Sequence, residues 1–326
     1  MESFPYSAVL KLAYELVKKR YWLWIFGLFI AGTSGLNLGA INYRVAVPDN
    51  QFTKPVRNEM KLAFDWISDN PAGFGWIVAA SLFVFLILLL AQGLAKSAVI
   101  WSADKLAEEA KGMIPKEKVD FRNSIKYGWR YVWRVVILQV AVTWSFFLIL
   151  LVFSAPIFYL FSHAAIGRAI TLLLLGLVIL IPAGLILGFL HLYGPIIIVL
   201  YNKNVGDALR IAFDLIRRKL AESIFLAAFI IGVNLMFILG AGFGIILLAV
   251  PVALLAMLLQ KFGYLFALYA LVVISLIAAA VLVMLFKGAF AAFQNVAWVL
   301  AVKEMIHTVG LKDDAKVLAT EPAEGT

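Results

Sequence analysis

The segment Leu10–Arg20, LKLAYELVKKR, occurs in altered form twice more, as Ile125–Val135, IKYGWRYVWRV, and Leu209–Lys219, LRIAFDLIRRK. The shared pattern is an aliphatic residue, a base, any residue, Ala or Gly, an aromatic, any residue, Leu or Tyr, a β-branched residue, any residue and a base. Each copy runs directly into a long apolar stretch. Recurrence of one unit at this scale is the mark of a repeat architecture, and the apolar stretches make the unit a membrane one. The reading is therefore all-α: a polytopic membrane protein with six transmembrane helices in three repeated units. Each unit is an amphipathic interfacial helix plus a transmembrane hairpin. The units fall at about 8–112, 121–203 and 205–305, with a polar tail over 306–326.

Composition sets the same limits. Of 326 residues, 64% are hydrophobic and 14% charged, and the mean hydropathy is +0.97, well outside the soluble range. Apolar runs of 20 or more residues recur, so lipid is the solvent for most of the chain. There is no Cys, which excludes disulfides, thiolate nucleophiles and Cys-ligated metals. The net charge of +9 does not point to nucleic acid, because the bases sit beside helix ends among aromatics. That is the pattern for anionic headgroups and for setting topology.

In the first segment Leu10, Ala13, Tyr14 and Val17 are read onto one helical face and Lys11, Glu15, Lys18 and Lys19 onto another. Such a helix is expected to lie in the interface with its bases towards the headgroups. The third segment opposes Leu209, Ala212, Phe213, Ile216 and Leu220 to Arg210, Asp214, Arg217 and Arg218. Glu15 with Lys19, and Asp214 with Arg218, are spaced for i,i+4 ion pairs. The second copy carries Arg130 where the others have the acid.

An uncleaved first span is read from Tyr21 to about Ala40, entered through Tyr21, Trp22 and Trp24 as an aromatic belt. The connection over 42–71 is polar, with a short helix begun near Pro55 that places Met60, Ala63, Phe64 and Ile67 on one face. The return span from Trp76 continues through Trp101 into ADKLAEEAKG, too long for the bilayer alone. A third span over 135–154, a turn over Pro156–Gly167, and a fourth span to about Tyr201 through Pro182 and Pro195 follow. Residues 223–260 are continuously apolar. Breaks are expected at Gly240–Gly244 and Pro251, with a re-entrant or interfacial piece before Gln260. The sixth span begins at Tyr264. Gly93, Gly194 and Gly288 mark corresponding places near the inner ends of the return spans, where small residues let helices approach.

Of the 28 bases, 22 fall on the side of both termini and six on the other, so both termini are expected in the cytoplasm. No catalytic or metal motif is found: no GxSxG, Walker loop or HExxH, and His163, His191 and His307 fall in different parts of the topology. The protein reads as non-enzymatic, with no cofactor and no metal. Lys96 and Lys287 are expected to snorkel. Gln139 and Asn234 are the strongly polar side chains well inside spans. Together with His191 they are candidates for a pathway, against the plainer reading of interhelical hydrogen bonds.

The basic-aromatic helices DALRIAFDLIRRKL and FRNSIKYGWRYVWRV, and the opening KKRYWLWIFGLF, resemble a broad group of six-span prokaryotic membrane proteins. That group includes the membrane domain attached to some glycerophosphoryl diester phosphodiesterases and related uncharacterised stand-alone proteins. The resemblance implies a six-helix domain in the prokaryotic inner membrane and carries no catalytic residue across; the phosphodiesterase barrel itself has no counterpart here. The threefold recurrence of the basic helices places the expected function at the cytoplasmic leaflet. Lys18, Lys19, Arg130, Arg134, Arg217, Arg218 and Lys219 would hold anionic lipid headgroups or a membrane-protein partner, with topology anchoring as the plain alternative. A transporter or lipid-translocating permease is the second reading.

Overall fold

The computed structural model describes residues 4–34, 65–112, 119–163, 166–262 and 264–309. The polar connection with Pro55, Met60, Ala63 and Phe64, most of the linker before Phe121, and the tail lie outside the described residues. Those described form nine principal helices and no strand. They are α1 Tyr6–Lys19, α2 Trp22–Ser34, α3 Pro71–Ala110, α4 Phe121–Trp129, α5 Val132–Ser162, α6 Ile166–Tyr201, α7 Val205–Arg218, α8 Leu220–Lys261 and α9 Leu265–Val309.

Five of these, α3, α5, α6, α8 and α9, are long and apolar enough to cross a membrane. α2 is a shorter apolar helix whose described part ends at Ser34. The 40 residues of α3 amount to about 60 Å of helix, twice a ~30 Å hydrocarbon core, so its polar end emerges from the membrane.

The three aligned segments each lead from a short helix into a long apolar one. α1 ends at Lys19 and α2 begins at Trp22, across a step where the Trp24 indole N–H donates to the Val17 carbonyl at 3.1 Å. α4 is capped by Asp120, whose carboxylate accepts from the Asn123 N–H, and breaks at Arg130 and Tyr131 before α5. α7 breaks at Lys219, whose carbonyl accepts from the Ser223 hydroxyl at 2.6 Å in the first turn of α8.

The principal core sits at the collar end of the molecule, around these short helices, and not along the spans. α3, α6 and α9 pack on one another there, and α4 lies against α3, α7 against α6 and α1 against α9. The last contact closes the arrangement, because α1 and α9 are the two ends of the described chain. Small side chains set the spacing: a Cβ on Gly128 would meet the Ala98 backbone N at 2.9 Å, and one on Gly194 would meet Leu138 Cδ1 at 2.6 Å. A Cβ on Gly93 would overlap Val136, one on Gly288 would lie 2.6 Å from the Trp24 carbonyl, and one on Gly27 would strike the Gly288 carbonyl. Away from this end the helices offer their side chains outward. The most apolar 18-residue windows of α3, α8 and α9 contain no buried residue, the arrangement that suits lipid as surrounding solvent.

Four local expectations are corrected. Pro156 does not open a turn: α5 continues through it to Ser162. α8 is likewise one 42-residue helix through Gly240–Gly244 and Pro251. Opening the helix in lipid exposes backbone groups at several kcal/mol each, whereas an interior glycine costs only about 1 kcal/mol. Tyr14, Phe213 and Leu220, read onto the apolar faces, are exposed and lie outside the buried stripes. Val9, Leu10, Ala13, Leu16 and Val17 are the buried residues of α1, a stripe reaching about 60° either side of Ala13, and Tyr14 stands about 100° away. Finally, the ion pairs Glu15–Lys19 and Asp214–Arg218 are not formed among the described residues; Lys219–Glu222 at 2.8 Å and Lys105–Glu108 at 3.2 Å are.

Candidate functional site

Six of the seven bases singled out above lie on the short helices and the steps that follow them, and Arg134 lies in the first turn of α5. Their placement follows from the stripe: Ala13, Gly128 and Ala212 are buried at the matched fourth position, which leaves the next residue about 100° round the helix. Tyr14, Trp129 and Phe213 are all exposed there, at 58, 60 and 47%. An exposed aromatic beside exposed bases gives each helix an outer face of the interfacial kind. Lys18 lies over the Tyr14 ring at 5.8 Å and Arg130 over Tyr127 at 5.6 Å.

Lys18, Lys19, Arg130, Arg217 and Arg218 are exposed, and Arg134 and Lys219 are half-buried. Arg134 is engaged within the protein: its Nη1 donates to Asn202 Oδ1 at 2.9 Å, across to the turn after α6. Asn202 has φ of 50°, the left-handed region that Asn tolerates better than most residues. Lys219 is held by Glu222. Five bases therefore remain free to meet a ligand, and two are tied to the fold. The apolar faces behind them pack into the main core with α3, α6 and α9.

The intramembrane candidates separate. Gln139 is 5% exposed on α5, with its Nε2 unpaired by any described residue. His191 is half-buried on α6, and Asn234 is half-buried on α8, whose principal neighbours are α7 and α9. Lys287 is exposed, but Lys96 does not snorkel: it is 5% exposed and its Nζ donates to the His191 carbonyl at 3.2 Å.

Several polar features were not singled out from the sequence. Lys303 on α9 pairs with Asp104 and, at 3.1 Å, with Glu108 on α3, joining the emergent ends of two helices 199 and 195 residues apart. Tyr193 donates to Ser223 at 2.7 Å and packs on Phe189 and Trp298. Ser102 donates to Ser124 at 2.8 Å. Lys203 is 3% exposed with no described partner. The acids Asp104, Glu108 and Glu109 near the end of α3, with Lys303 near the end of α9, were the available signal for the Lys303 cluster; nothing local marks Lys203 as buried. His163 caps α5, with Nδ1 lying 2.9 Å from the Tyr159 carbonyl, and His307 is exposed near the end of α9. Among the described residues no three His, Asp or Glu side chains gather around a common point.

No protein-family model, curated protein or solved structure matches this chain. Chemical reading of the molecule therefore rests on the collar end itself: exposed cations and aromatics on short helices rigidly backed by the main core.

Proposed function

We propose that this is a non-enzymatic integral membrane protein that gathers anionic lipid, or a membrane-protein partner, at the cytoplasmic leaflet through three basic amphipathic helices. The observation that carries this reading is the shared sidedness of α1, α4 and α7: a buried Ala or Gly at one position, an exposed aromatic at the next, and exposed bases around it. Aromatics of this kind favour the headgroup layer, and each base near an anionic surface adds about 1 kcal/mol of attraction. Backing by the main core fixes the three faces without a separate ordering cost.

The same matched positions support reading the chain as three units, with α2 the beginning of the first of six spans. Closure of α9 onto α1, alongside α3 with α4 and α6 with α7, supports an approximately threefold ring of units. The base count supports cytoplasmic termini, and the resemblance supports a prokaryotic inner membrane. The permease reading has less support. Its candidates Gln139, His191 and Asn234 lie on three helices, and α8 packs chiefly with α7 and α9.

The test is native mass spectrometry of the full chain in mild detergent with dioleoylphosphatidylglycerol or dioleoylphosphatidylcholine. Wild type is compared with Lys18, Lys19, Arg217 and Arg218 all changed to Gln, leaving the fold-bound Arg134 and Lys219 intact. Phosphatidylglycerol retention is expected to drop at least tenfold, a loss of about 1.4 kcal/mol, while phosphatidylcholine retention stays the same. Equal phosphatidylglycerol retention by both proteins would leave the bases as topology anchors and defeat the lipid reading.

A further inference from the structure

An interior proline removes one N–H from its helix, so the carbonyl four residues earlier loses its donor. Pro156, Pro182, Pro195 and Pro251 all lie inside helices, and the carbonyls concerned belong to Val152, Val178, His191 and Leu247. Val152, Val178 and Leu247 stand on exposed stretches, and among the described residues no side chain donates to their carbonyls. His191 differs. Pro195 and its neighbours Tyr193, Gly194 and Ile196–Val199 are buried, and the His191 carbonyl accepts from Lys96 Nζ at 3.2 Å.

Lys96 belongs to α3, 95 residues away, and is itself buried. A buried ammonium and a part-buried free carbonyl are each costly alone; together they satisfy one another. Lys96 follows Gly93 by one turn, and Gly194 immediately precedes Pro195. The flush contacts of those glycines with Val136 and Leu138 place α5 across the same seam.

We propose that Lys96 is a staple between helices: its ammonium takes the place of the N–H that Pro195 lacks, and so fixes the direction of α6 beyond its ladder break. Seven residues of α6 run from Pro195 to Tyr201, followed by the turn 202–204 and then α7. Whatever sets the course of α6 after Pro195 therefore sets the position of α7 and its bases relative to α3. The staple is independent of what α7 binds, and a failure of lipid retention leaves it untouched.

A double-mutant cycle on the full chain in detergent tests it, because Pro195→Ala restores the missing donor and should make Lys96 dispensable. Lys96→Met is expected to lower the melting temperature by several degrees relative to Lys96→Arg, which keeps a donor. In the Pro195→Ala background the loss on Lys96→Met is expected to fall below half. The absence of native Cys also permits spin labels at Ala110→Cys on α3 and Arg210→Cys on α7, both exposed positions. Their distance distribution should broaden on Lys96→Met and narrow again when Pro195→Ala is added. The same loss in both backgrounds, or a width insensitive to Pro195→Ala, would overturn the staple. If Lys96→Met alone fails to fold, recovery with Pro195→Ala supports it and continued failure refutes it.

Discussion

Gly27 and Gly288 meet where α2 crosses α9, so close that a Cβ on Gly27 would collide with the Gly288 carbonyl. Backbone atoms cannot swing aside as a side-chain tip can, so Gly27→Ala must push two helices apart. Overpacking of this sort costs typically 1–3 kcal/mol and occasionally more, and the melting temperature in detergent is expected to fall by several degrees. Gly240→Ala is the matched control, since nothing lies within 4 Å of its would-be Cβ. There the better helix propensity of Ala should leave the melting temperature unchanged or slightly raised. An equal drop for both substitutions would mean that the crossing is not the cause. Gly93, Gly194 and Gly288 were legible as close-approach points from their corresponding places in the chain. Gly27, in an apolar run containing another glycine, was not, because its role depends on where α9 returns 261 residues later.

At the scale of the helix, burial divides neighbouring residues of the same apolar character. Ala212 is fully buried, whereas the larger Phe213 is half-exposed, so hydrophobicity alone misplaces them. Ala212→Leu is expected to destabilise the protein by about 1–3 kcal/mol through overpacking. Phe213→Ala should change stability in detergent by no more than about 0.5 kcal/mol while weakening partition of the helix into the interface. Thermal unfolding of the two variants decides this, and the reverse ranking would show that α7 presents its other face to the core. Periodicity put Tyr14 and Phe213 on the same apolar face as Ala13 and Ala212, and did not separate the exposed residues from the buried ones. The stripe is centred on Ala13 and Ala212, and tight packing at the collar end prefers the small residue there. The expected break in α8 failed for a different reason: glycine makes a break possible, but a helix in lipid has no water to satisfy the groups it would release.

At the scale of the whole molecule, the proposed topology puts the collar end and the α8–α9 connection on opposite sides of the membrane. Single cysteines at Ser7→Cys, on α1, and Lys261→Cys, at the end of α8, are both at exposed positions. Labelling intact cells with a membrane-impermeant maleimide is expected to modify Lys261→Cys alone, with Ser7→Cys reacting only after the membrane is opened. Modification of both in intact cells would overturn the cytoplasmic assignment of the collars. The sequence by itself determined that the chain is helical and lives in lipid, since apolar runs of such length leave no other solvent for them. It also marked the three basic segments and the glycines where return helices pass, because periodicity and residue size are local properties. Only the tertiary structure decided that the core gathers at the collar end, that α9 closes onto α1, and that Lys96 turns inward to the carbonyl opposite Pro195. Those outcomes depend on which helices meet across about a hundred residues or more, and a buried cation finds its partner there by the energetics of desolvation, which no single segment encodes.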